Sequence, residues 1–144
     1  MTEVHFHTGL ADPLAYACRL LRKSQRRGAQ VVVTADPARL DQLDVLLWTF
    51  EPLEFLPHAR LRGGAAVPPR LAATPIWLAD RPTEAPHHEV LVNLGPDLGP
   101  GFESFGRLFE LVGGAPDEAA AGRQRWQHLK ARGYPVTHHV EAVE

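Results

Sequence analysis

Eight histidines are the residues that first invite chemistry in this 144-residue chain. His5 and His7 share one side of the alternating run Val4-His5-Phe6-His7, while His87-His88 and His138-His139 are adjacent pairs. Adjacent strand residues point to opposite faces, and no cysteine or carboxylate completes a tetrahedral ligand set with them. They read as surface or strand-end histidines, and no metal is expected. Ser24 and Ser104, the only serines, fall within expected helices and lack the sharp turn that exposes a nucleophile. Cys18, the single cysteine, lies in an apolar-periodic segment with no activating partner nearby in sequence, so it reads as a buried small hydrophobe. The loop Gly95-Pro96-Asp97-Leu98-Gly99-Pro100-Gly101 superficially resembles a phosphate cradle. It has no Gly-Lys-Ser/Thr to reach phosphate and magnesium, and its two prolines remove amide donors. Nothing here argues for catalysis, and no cofactor is expected.

A different kind of chemistry sits near the C-terminus. Arg123, Trp126, Gln127 and Lys130 recur at i, i+3, i+4 and i+7, which places them on one side of a helix. Two cations flanking an indole suit an acidic peptide that carries an apolar residue and a terminal carboxylate. The same spacing also suits a core tryptophan with solvated neighbours.

The elements that would position these residues follow from period and punctuation. Residues 4–7 alternate as a first strand. Asp12-Pro13 opens a helix, since aspartate caps well and proline suits the first helical position. Leu14, Ala17, Cys18 and Leu21 form its apolar stripe, five cations crowd toward its end, and Gly28 stops it. Residues 30–34, with Val31-Val32-Val33, read as a strand buried on both faces. Asp36-Pro37 repeats the cap, and a helix is expected over about 38–48. Short strands are expected at 55–56, 76–78 and 90–94, with a surface loop over 59–74. Phe102, Phe105, Leu108, Phe109 and Val112 recur at helical spacing, and a last helix is expected over about 117–132. An edge strand at 136–138 or a loose tail ends the chain. The expected fold is α/β: a single three-layer domain over residues 1–144, its mixed, mostly parallel sheet flanked by about four helices.

The stretch Leu43–His58 is the most distinctive, because Trp48 and Phe55 flank a proline break and the sequence Phe55-Leu56-Pro57-His58 closes it. It offers a rigid apolar surface suited to another protein. A formal net charge of −2 gives no general attraction to nucleic acid or anionic lipid, so any DNA contact would be local. No leader peptide and no run near the roughly 18 apolar residues of a membrane span are seen. A cytoplasmic location is expected.

Taken together, the chain resembles the chi subunit of bacterial DNA polymerase III holoenzyme, a clamp-loader accessory protein, over nearly its whole length. The resemblance rests on Phe6-His7, Leu43-Asp44 with Leu47-Trp48, Phe55-Leu56-Pro57-His58, Glu89–Leu94, Phe102–Val112 and Arg123–Tyr134. The tryptophan followed about six residues later by Phe-x-Pro-His is its strongest part. It implies an α/β fold, no catalysis by this chain, and two partners. These are the psi subunit, which ties such proteins to the clamp loader, and the acidic C-terminal tail of single-stranded-DNA-binding protein. By position, Trp48, Phe55 and Pro57 would face psi, and Val112, Arg123, Trp126, Gln127 and Lys130 would line the tail pocket. The family's lysine after the last-helix aromatic is replaced by Gln127, which should weaken carboxylate capture unless Arg123, Lys130 or Arg132 compensates. With the resemblance, Trp126 is expected on a binding surface, DNA is contacted mainly indirectly, and no membrane is involved.

The expected function is therefore an adaptor at replication forks, associated with the nucleoid. Two rivals remain: a doubly wound nucleotide-binding enzyme with its ligand at the strand C-terminal ends, and an adaptor for a DNA repair helicase using the Trp48/Phe55 surface.

Overall fold

A computed structural model describes residues 1–50 and 55–140. The chain runs β1 (Glu3–Leu10), α1 (Pro13–Arg26), β2 (Val31–Thr34), α2 (Pro37–Thr49), β3 (His58–Leu61), β4 (Ile76–Ala79), β5 (Val90–Asn93), β6 (Arg107–Gly113), α3 (Pro116–Ala131) and β7 (Val136–Val140). Short 3-10 turns at Pro69–Leu71, Pro82–Glu84 and Phe102–Ser104 punctuate the second half.

Both Asp-Pro signals start helices where the chemistry requires. The Asp12 carboxylate accepts from the Ala15 amide at 3.1 Å, and that of Asp36 accepts from the Arg39 amide at 2.8 Å. Each satisfies one of the donors a helix start leaves open, with proline at the first helical position. Such caps are worth about 1 kcal/mol each.

The seven strands form one sheet in the order β3-β4-β2-β5-β6-β1-β7. Every pairing is parallel, so the expected mixed sheet is purely parallel among the described residues. Central strands buried on both faces carry apolar runs, as in Val31–Val33 and Ile76–Ala79. Strand alternation then splits the core in two. On one side α1 and α2 pack Leu21, Leu40 and Leu43 against Val31, Val33 and Leu111. On the other, α3 brings Leu129, and the short turns bring Ala85 and Phe102, against Val4, Phe6, Val32 and Leu108. The result is the three-layer α/β arrangement expected.

Several expectations are corrected. The helix expected over 102–112 is a 3-10 turn followed by β6, which leaves three α-helices among the described residues. A strand covered on both faces also reads as an unbroken apolar run, so the 3.6-residue spacing of Phe102, Phe105, Leu108, Phe109 and Val112 was ambiguous. Phe55 and Leu56 are not a strand; the strand begins at His58 and takes the first residues of the expected loop. The edge strand near 136–138 is present as β7, parallel to β1. The proline break at position 52 and the last four residues of the tail lie outside the described residues.

Candidate protein-interaction surfaces

The last helix and the sheet edge enclose a cleft of about 510 Å³. Its floor is the α3-facing side of β1 and β6, with Phe6 and Val112, and its wall is Arg123, Trp126 and Gln127 of α3. Helix and sheet approach closely because Gly122 has no side chain. A β-carbon there would stand 2.7 Å from Val112 Cγ1, well inside contact distance. Trp126 is half-buried with its ring open to the cleft, while Arg123 and Gln127 are exposed. Lys130 does not line the cleft itself. Its Nζ lies 4.9 Å from the centroid of the Trp126 ring, a cation–π contact worth about 0.5–1 kcal/mol at an exposed site. Four of the five residues expected at a tail pocket thus line one cleft, and the fifth supports its aromatic wall. Val112 reaches it from a strand, not from the expected helix.

The arrangement depends on a buried polar chain that the sequence reading missed. The Glu110 side chain, on β6, is completely buried. Its carboxylate accepts from Asn93 Nδ2 at 2.8 Å and from Arg125 Nε at 3.0 Å. Arg125 also donates to the Pro96 carbonyl at 2.6 Å. The Asn93 Oδ1 in turn accepts the Gly95 amide at 2.9 Å, so the glycine-rich loop spends a donor on its own support. Burial raises the Glu110 pKa above the ordinary glutamate value, and the Arg125 charge and the hydrogen bonds from Arg125 and Asn93 oppose that rise. Arg125 is two residues from Arg123, about 200° around the helix, so it turns inward and pins α3 while Arg123 faces out. The cue was available: Glu110 is the one carboxylate inside the apolar run 108–112.

The second surface lies at the opposite edge, beyond α2. Trp48 and Phe55 are 56% and 64% exposed and stack with ring centroids 5.5 Å apart. Val45 and Leu46 of α2 extend the apolar patch, and Pro57 is half-buried beside it. Behind the tryptophan, His58 lies 4.6 Å away, ring to ring. Its Nδ1–H donates to the Leu56 carbonyl at 2.7 Å, and its Nε2 is 2.9 Å from Asp44 Oδ1. The histidine of Phe-x-Pro-His is therefore a buried strut that ties the segment to α2. Large exposed aromatics on a rigid support are the kind of feature that anchors protein interfaces in general.

Other sequence candidates resolve as structure. Cys18 is buried, and desolvation, with Asp12 nearby, pushes its thiol pKa to about 11, away from reactivity. Gly101 holds a left-handed turn at φ +94°, where a β-carbon would meet the Thr83 side chain. Among the described residues, no three histidines, cysteines or carboxylates are grouped to hold a metal ion. No described helix is long and apolar enough to cross a membrane.

Residues 1–137 match the family described as DNA polymerase III chi subunit, HolC. The chain belongs to this family. It is 36% identical to a Pseudomonas aeruginosa protein named DNA polymerase III subunit chi, over 96% of both chains. A Haemophilus influenzae protein of the same name is 29% identical, over 84% of this chain and 82% of its own length. The resemblance read from Trp48, Phe55-Leu56-Pro57-His58 and the last helix is the family assignment itself, and the chain is a chi-family subunit of the replicative polymerase.

Proposed function

We propose that this chi-family chain is a non-catalytic adaptor linking the clamp loader, through psi, to the acidic C-terminal tail of single-stranded-DNA-binding protein. The observation that carries the reading is the cleft: an apolar floor of Phe6 and Val112, an indole wall, and the Arg123 cation at its rim. That combination matches the two features of such a tail, an apolar side chain and a terminal carboxylate. Gln127 supplies a hydrogen bond where the resembling family has a lysine, so Arg123 takes the carboxylate and Lys130 stiffens the ring.

The stacked Trp48–Phe55 patch, with Pro57 at its border, is the surface assigned to psi. It lies beyond α2, across the sheet from the β1/β7 edge. An adaptor needs this separation, because both partners must bind at once. Each tail contact is weak alone, and many tails on coated DNA raise the effective concentration so that several weak contacts act as one strong one. Screening of the Arg123 contact makes the capture weaken as salt rises.

The test is a titration of wild type and Arg123→Ala with a peptide of the cognate tail, and with psi. The variant is expected to lose about 1.5–3 kcal/mol of tail affinity, the usual worth of a hydrogen bond to a charged group, and to bind psi as wild type does. Unchanged tail affinity would remove Arg123 from the site.

A further inference from the structure

The strands that build the tail cleft also build a second cleft, on the opposite face of the same sheet edge. Along β1, Phe6 and Thr8 face the first cleft while His5 and His7 face the second. Along β7, His138 and His139 divide in the same way. The second cleft, about 560 Å³, lies between this edge and α1.

Its charge is unlike that of the whole chain. Arg19, Lys23 and Arg27 line one rim and Arg107 stands at the other; among the described residues that line the cleft, Glu89 is the one carboxylate. Glu89 is engaged, accepting the Gln30 amide at 2.6 Å, and Glu3 lies at the floor's edge 2.7 Å from His5. Among the described residues a local surplus of cations thus sits on a chain of formal charge −2. Arg19, Lys23 and Arg27 follow one another at four-residue intervals, which spaces them by about 6 Å along α1.

The floor is made of planar rings. Phe109 stacks on His5 at 5.2 Å, His5 on His139 at 5.5 Å, and His139 on His7 at 4.6 Å. The paired register of the three parallel strands places these rings side by side. On its α3 side β1 instead carries Val4 and Phe6, both buried in the apolar core.

We infer that this ring-floored basic cleft is a contact site for the backbone of single-stranded DNA, bound without regard to sequence. Cations along a groove with aromatic rings beneath it are what single strands recognise. The 6 Å interval of the cations exceeds the 3.4 Å per phosphate of a stacked duplex strand, and an unstacked strand stretches to meet it. The site goes beyond the tail reading and does not depend on it. With both clefts on one edge, a chain that holds the tail of a coating protein on one face would touch the uncovered strand on the other.

The experiment is fluorescence anisotropy of a labelled oligothymidylate of about 15 nucleotides, with the full chain, at about 50 mM salt. Saturable binding is expected, with log affinity falling against log salt at a slope of about −2 to −3, from three or four phosphates at about 0.7 each. The double variant Lys23→Glu/Arg107→Glu should weaken it at least tenfold while its tail-peptide affinity, measured in the same samples, stays at the wild-type value. Lys23→Gln/Arg107→Gln, a milder change, should weaken it at least threefold if charge reversal disturbs folding. The inference is overturned by an absence of saturable binding, or by neutralised variants that bind as wild type does. It is equally overturned if duplex of the same length, or a polyglutamate peptide, binds as tightly as the single strand; the peptide result would assign the groove to an acidic protein. Failure of the tail peptide alone would leave the DNA result standing.

Discussion

Replacing Arg125 with glutamine removes the cation paired with a carboxylate that has no access to solvent. Glu110 has 0% and Arg125 11% of its side chain exposed, so water screens this pair little. The ion left behind has one escape, which is to take up a proton. Holding a carboxyl protonated costs about 1.4 kcal/mol for each pH unit above its ordinary value near 4.3. The penalty in Arg125→Gln is therefore limited to about 3.5–4 kcal/mol at pH 7 and about 1 kcal/mol at pH 5. The upper figure agrees with the roughly 3–5 kcal/mol seen when one partner of a buried pair is removed, and it is a large part of a typical stability of about 5–15 kcal/mol. The sign follows from the raised Glu110 pKa. The folded state binds this proton more readily than the unfolded chain, so its contribution is full below the ordinary glutamate value and is lost as pH rises. Without Arg125 that loss is deeper. Urea unfolding of variant and wild type at pH 5 and pH 7 reads the difference directly. Glu110→Gln added to the variant should restore much of the stability, since no charge then remains buried. A loss under about 1 kcal/mol at pH 7, or one equal at both pH values, would refute the reasoning.

Two further substitutions separate binding from folding. Trp48→Ala with Phe55→Ala removes exposed rings, so stability should change by no more than about 1 kcal/mol, while psi affinity in a titration falls at least tenfold. Unchanged psi affinity would move the interface elsewhere. Gly122→Ala would gain about 1 kcal/mol in helix propensity, yet its β-carbon would collide with the buried, β-branched Val112. Overpacking should win, with about 1–3 kcal/mol lost and weaker tail binding as α3 is pushed outward. A raised melting temperature would contradict that packing.

The parts of the fold set by local chemistry were legible in the sequence. Asp12-Pro13 and Asp36-Pro37 mark helix starts to within a residue, since cap and proline act within one turn. The i, i+3, i+4 spacing of Arg123, Trp126 and Gln127 put one face of α3 at the cleft, with Lys130 beside the Trp126 ring. What local pattern left open was decided by partners distant in sequence. The run 102–112 fits a helical period, and only pairing of β6 with both β5 and β1 makes it a strand. Strand order was illegible for the same reason: β1 pairs with residues more than a hundred positions away. Glu110 and Arg125 are fifteen positions apart on different elements, and only the fold puts them 3.0 Å from each other. His58 read as part of a surface sequence, while its burial against Leu56 and Asp44 makes it the support behind Trp48.

The central claim is that the Arg123–Trp126 cleft takes a peptide by its end. Calorimetric titration with the last ten or so residues of the cognate single-stranded-DNA-binding protein, as free acid and as terminal amide, tests it most directly. Saturable binding by the acid, weakened at least tenfold (about 1.4 kcal/mol) by amidation, is the predicted result. No binding at low salt, or equal binding of acid and amide, would contradict the account.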